Sequence, residues 1–162
     1  MTPPEVARAI KLRLASELVD DRASLDDLAR SVSALLDPAA DARDEWMRSL
    51  ALAFQVERWY TAAEATLART LRALDGDVPS GPSWHQELLR AAAASIDGGR
   101  PAVLPRDALS EMGELLKFRH LARHGYEATP EPLRMIEHGR RVERAHTAVM
   151  TSLVSLDGWL RA

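Results

Sequence analysis

An all-α fold, an up-and-down bundle of four long helices with one short helix inserted, is predicted by three features of this chain. It is rich in Ala, Leu, Arg and Glu, which lose little side-chain freedom in a helix. Its apolar residues recur three and four apart over long stretches. Its nine prolines and eight glycines gather between those stretches instead of spreading evenly. At 162 residues the chain has the size of one domain, 1–162, able to bury a core without metal or disulfide support.

The first helical stretch runs from about Pro4 to Leu36, with Val6, Ile10, Leu14, Leu18, Leu25, Leu28, Val32 and Leu35 as its apolar stripe. Asp20-Asp21 falls mid-run. Ser24 followed by Asp27 resembles a capping box there, although an unbroken helix fits the stripe nearly as well. The second stretch follows Asp37-Pro38, with Asp41 as candidate N-cap, and ends at Asp75-Gly76, where Gly suits a left-handed C-terminal cap. Its best seam is Trp46, Leu50, Ala53, Glu57, Tyr60, Glu64, Leu67, Leu71 and Leu74. A carboxylate on a seam costs burial energy unless paired, so Glu57 and Glu64 either line a cleft, pair with nearby arginines or sit at the exposed edge.

Gly76 to Pro82 reads as a loop, and Ser83 with Gln86 caps a short helix through about Ile96. His85, in its first turn, is expected at the surface or in packing. After the loop Asp97-Gly98-Gly99-Arg100-Pro101, a fourth helix runs from about Pro105 to His124, stopped by Gly125. A fifth runs from about Glu131 to Leu160, opened by Pro132 in its first turn. Trp46, Trp59, Trp84 and Trp159 are expected as core anchors.

Composition narrows the function classes. With no cysteine there is no disulfide framework, zinc-thiolate site or thiolate nucleophile. The start Met1-Thr2-Pro3-Pro4-Glu5 lacks the features of a signal peptide, and no apolar run approaches a membrane span, so a soluble cytoplasmic protein without a membrane partner is expected. A net charge of -3 argues against a basic coat that neutralises many phosphates. The average hides an asymmetry: Arg100 to His146 holds nine basic against seven acidic side chains and four of the five histidines. That stretch is either the anion-facing side or ordinary solvated helix.

Phosphate-binding glycine loops, His-Glu-x-x-His, Gly-x-Ser-x-Gly and dinucleotide fingerprints are missing. What remains is Lys117-Phe118-Arg119-His120-Leu121-Ala122-Arg123-His124-Gly125-Tyr126, at a predicted helix end. Leu109, Met112, Leu116 and Arg119 lie three or four apart, so Arg119 continues the buried stripe and needs an anionic partner. His120 and His124 are four apart and share a neighbouring face. Arg119 and His124 are separated by about 140° on a regular helix, so they flank a sector, and two copies brought together by a two-fold axis can line one cleft.

An arginine with histidines suits cleavage of the RNA phosphodiester, in which the 2′-hydroxyl is a built-in nucleophile. Histidine carries protons near neutral pH, and Arg119 holds non-bridging oxygens through its fork. On the residues alone a second reading stands beside this one and is the commoner case: cations decorating a helix C-terminus, where they suit its dipole and last carbonyls. His138 and His146, eight apart on the fifth helix, lack the added ligands that would make a metal pair specific.

The pattern Arg119-x4-His124-x-Tyr126 resembles the Arg-x4-His-x-Tyr signature of HEPN-domain ribonucleases, in particular the HepT toxins of HepT/MNT toxin-antitoxin pairs. The resemblance extends over about residues 45 to 127: Glu64 in a Trp-Tyr-rich second helix, Ser83-Trp84-His85-Gln86-Glu87-Leu88-Leu89, Arg100-Pro101-Ala102-Val103-Leu104, and Phe118-Arg119-His120. It implies a HEPN-like helical fold and a homodimeric, metal-independent endoribonuclease that needs no cofactor. Arg119 and His124 of both protomers would form one composite site, with His120 helping to hold the phosphate and Glu64 and Arg123 as accessory residues. It also implies a minimal nucleotidyltransferase (MNT) antitoxin that transfers AMP to Tyr126. The alternatives are a non-catalytic HEPN-like domain that binds nucleotide or RNA, and a helical protein-interaction adaptor.

Overall fold

Five helices make up the described structure: α1 (Pro3–Leu36), α2 (Glu45–Asp75), α3 (Trp84–Ala93), α4 (Arg106–His124) and α5 (Pro132–Arg161). The computed structural model describes residues 2–38, 44–124 and 131–162, apart from the side chains of Arg123 and His124. The all-α class holds, with four long helices, one short one and no strand among the described residues. α1 packs on α2 and α5, α2 also touches α5, and α4 lies on α5 and α2. The short α3 closes the end of this arrangement against α2 and α4. No helix among the described residues is long and apolar enough to cross a membrane.

α1 is unbroken. Asp21 does not interrupt it, because it faces Arg69 of α2, which hydrogen-bonds it and approaches Glu17 at 3.6 Å. α2 is capped at its start by Asp44, whose carboxylate accepts from the Met47 N–H at 3.1 Å; the expected cap, Asp41, lies outside the described residues. Its end is as expected. Gly76 stands at φ 84° and donates its N–H to the Arg72 carbonyl, a left-handed cap that glycine adopts without a steric penalty.

Two expectations about burial are corrected. The N-terminal half of α2 buries Ser49, Leu52, Val56 and Trp59 in place of Trp46, Leu50, Ala53 and Glu57; that seam runs on through Ala63, Thr66 and Thr70, and the expected one joins it only from Tyr60 onward. The two seams lie one residue, about 100°, apart, so α2 buries a narrow strip along its first half and a wider face from Tyr60 onward, where His85 of α3 and Arg119 of α4 also meet it at Glu64. Trp46, expected as an anchor, is therefore 51% exposed, whereas Trp59 is wholly buried. On α1, Val6 and Ile10 lie outside the core, which begins at Leu14.

α3 ends at Ala93, three residues before the expected Ile96, because the chain that follows takes its last carbonyls. The N–H groups of Val103 and Leu104 both donate to the Ala92 carbonyl, at 2.8 and 2.9 Å. Arg100 is buried and binds Asp75 through two parallel bonds of 2.7 Å, while donating to the carbonyls of Ala91, Ala94 and Pro101. One guanidinium thus ties the end of α2 to the end of α3 and sets the path into α4.

The histidines of α5 are structural. Trp59 Nε1 donates to His146 Nδ1 at 3.3 Å, which leaves the His146 proton on Nε2, facing Asp26 at 2.9 Å. This bridge joins α2, α5 and α1. His138 stacks on Phe118 with ring centroids 4.5 Å apart. Burial, and then Arg141 and Arg134, push its pKa below the ordinary 6.5. The unfolded chain therefore takes up this proton first as the pH falls, so the contribution is intact above about pH 6.5 and is lost below it. The midpoint of urea unfolding is expected to drop from about pH 7 to about pH 5, and His138→Phe to make that drop smaller; an equal drop in the variant would assign the slope to other groups.

Candidate active site

Three helices bring the candidate residues together. α2 supplies Tyr60 and Glu64, one turn apart; the first turn of α3 supplies Trp84 and His85; the last turns of α4 supply Arg119 and His120. Arg119 continues the buried stripe of Met112 and Leu116, as its spacing predicts, and is 7% exposed. The anion it requires is Glu64, 4% exposed, whose Oε2 lies 3.4 Å from Arg119 Nη1. Of the three positions open to Glu64, the structure selects burial in an ion pair.

The other Glu64 oxygen is also engaged. Oε1 accepts from the Tyr60 hydroxyl at 3.1 Å and stands 2.5 Å from His85 Nδ1. Burial, reinforced by the Glu64 charge, pushes the Tyr60 phenol far above its ordinary pKa, so it keeps its proton and acts as a donor. One buried carboxylate thus gathers a phenol, an imidazole and a guanidinium, which offsets the cost of taking its charge out of water. The centre of the Arg119 guanidinium lies 5.8 Å from the centre of the Tyr60 ring, and its buried Nε has no hydrogen-bond partner among the described residues.

Of the two places expected for His85, surface or packing, the structure gives packing, within this cluster. Its ring is stacked on Trp84, with centroids 3.8 Å apart, and meets the edge of His120 at 5.4 Å. Arg119 Nη1 is 3.4 Å from both of its ring nitrogens. The sequence did carry a signal, since His85 precedes the buried Leu88, Leu89 and Ala92 at spacings of three, four and seven and so lies on the inner face of α3. The structure thus joins Glu64, Arg119 and His120, with Tyr60 and His85 added. The side chains of Arg123 and His124, and all of Tyr126, lie outside the described residues. Among the described residues no group of three or more acidic, His or Cys side chains could hold a metal ion.

Five helices and no strand among the described residues, with a buried arginine near the end of the fourth helix, have the layout of a HEPN-superfamily bundle. A family model described as HepT-like protein matches residues 51–157, well over half of the chain, and the chain belongs to that family. No curated protein and no solved structure matches it with significance.

Proposed function

We propose that this HepT-like chain is the toxin of a type VII (HEPN/MNT) toxin-antitoxin pair, a cytoplasmic, metal-independent endoribonuclease acting as a homodimer. The observation that carries the reading is the setting of Arg119: a guanidinium at the end of α4, held by a buried carboxylate and packed against an imidazole. Donors fixed in place before the reaction stabilise developing charge without reorganising, and this arrangement suits the pentacoordinate phosphorus of RNA cleavage. The 2′-hydroxyl attacks its own phosphodiester, and Arg119 neutralises the non-bridging oxygens. His124 carries a proton, His120 and Arg123 add polar contacts, and the two-fold axis brings both copies of Arg119 and His124 to one cleft.

Purified protein is expected to cut RNA in excess EDTA and to leave 2′,3′-cyclic phosphate ends, and His124→Ala to abolish this with its helical circular dichroism unchanged. Equal cleavage by wild type and variant would remove the reading. Inert wild type that still binds RNA would favour the non-catalytic regulator, and a chain that only pairs with another protein the adaptor.

The antitoxin of this reading is a minimal nucleotidyltransferase that adds AMP to Tyr126, placing phosphate charge where the RNA phosphate must bind. Coexpression with such an enzyme is expected to raise the intact mass by whole AMP units that map to Tyr126. A modification mapped elsewhere, or none, would exclude this mode of neutralisation.

A further inference from the structure

We infer that His85 is a second catalytic residue of the proposed ribonuclease, its general base, oriented by Glu64; the inference rests on the ribonuclease reading. Glu64 fixes the ring. A carboxylate accepts, so the 2.5 Å contact calls for an N–H on Nδ1, which in the neutral tautomer leaves the lone pair on Nε2. A carboxylate behind an imidazole in this way sets its tautomer and stabilises the imidazolium that forms when the far nitrogen takes a proton.

The surroundings put the ring beside Arg119, the proposed holder of the phosphate. Arg119 Nη1 is equidistant from both ring nitrogens, which no end-on hydrogen bond gives, so the cation lies against the ring and not at its Nε2 lone pair. A phosphate oxygen bound by the Arg119 fork would lie one hydrogen bond beyond a group already touching His85. Within the cluster, the His85 side chain is 15% exposed against 6% for Glu64 and 8% for Arg119, so it is the most accessible of the three. Tyr60 is unsuited to the role, since burial holds its proton in place.

In the step that follows, Nε2 of His85 takes the 2′-hydroxyl proton as O2′ bonds to phosphorus. The bond from phosphorus to O5′ breaks, and O5′ leaves with a proton from His124, giving a 2′,3′-cyclic phosphate and a 5′-hydroxyl. Glu64 offsets the positive charge that His85 gains beside Arg119.

The test is single-turnover cleavage of a short RNA by the full chain in EDTA, with the scissile 5′-oxygen intact or replaced by sulfur, a leaving group that departs without a proton. His85→Gln keeps an N–H for Glu64 but cannot take a proton, so a purely structural His85 predicts wild-type rates in this variant. The expected result is a loss of about 10²- to 10⁴-fold on both substrates, whereas His124→Ala recovers on the sulfur substrate. Wild-type rates in folded His85→Gln, or its recovery with sulfur, would overturn the inference while wild-type cleavage and the loss in His124→Ala keep the ribonuclease reading. Inert wild type removes both. Independently of any variant, nitrogen-15 spectra of wild-type side chains, recorded where the His85 ring is neutral, are expected to show its proton on Nδ1, and a neutral ring with its proton on Nε2 would also overturn it.

Discussion

Arg119→Lys is expected to leave the protein folded and to slow RNA cleavage by about 100-fold, a loss of about 3 kcal/mol of transition-state stabilisation on the scale of removing one oxyanion donor. The two effects separate because they use different properties of the side chain. Stability needs a cation beside the buried Glu64, 3.4 Å from Arg119 Nη1, and lysine supplies one. Catalysis in the proposed reading needs a planar fork that meets two phosphate oxygens together, which an ammonium group does not present. Arg119→Ala removes both, leaving Glu64 buried without its guanidinium, so its inactivity alone is ambiguous. Thermal melts beside single-turnover rates decide the matter: a lysine variant that cuts at the wild-type rate would show that Arg119 serves the fold and not the reaction.

Arg100→Met is expected to be the most damaging change away from the candidate site. It strips Asp75 of a two-bond partner and frees the carbonyls of Ala91, Ala94 and Pro101 at the junction of α2, α3 and α4. Breaking a buried pair from one side costs about 3 kcal/mol or more, which for a chain of this size lowers Tm by about 6–12 °C. Arg100→Lys should recover only part of the loss, because an ammonium group cannot satisfy Asp75 and three carbonyls at once. Differential scanning calorimetry measures both; an unchanged Tm in Arg100→Met would mean that the carbonyls find water instead.

Several elements were legible before any tertiary structure. The cap at Gly76, the Pro132 start of α5 and the burial of Met112, Leu116 and Arg119 follow from rules that act within one or two helical turns. The demand of Arg119 for an anion was equally legible, since a charge on an apolar stripe must be compensated. Its partner was narrowed only to a set of possibilities. Glu57 and Glu64 both sit on the expected seam, and choosing between them depends on how α2 is rotated against α4.

That rotation also explains the errors. Trp46 and Trp59 are the same residue type on one helix, yet one is half exposed and the other wholly buried, because they stand about 140° apart around α2 and so face different surroundings. The place of His85 stayed open between surface and packing because its neighbours in sequence are a loop and a short helix, whereas its partners Glu64 and Arg119 come from two other helices.

Periodicity and punctuation suffice for the helices, their approximate ends and the inward direction of Arg119, because each is decided by backbone hydrogen bonds and side chains a few residues apart. The assembly of Tyr60, Glu64, His85 and Arg119 around one carboxylate was decided only by packing. It depends on the relative rotation and depth of α2, α3 and α4, which long-range burial selects and which no spacing along the chain encodes.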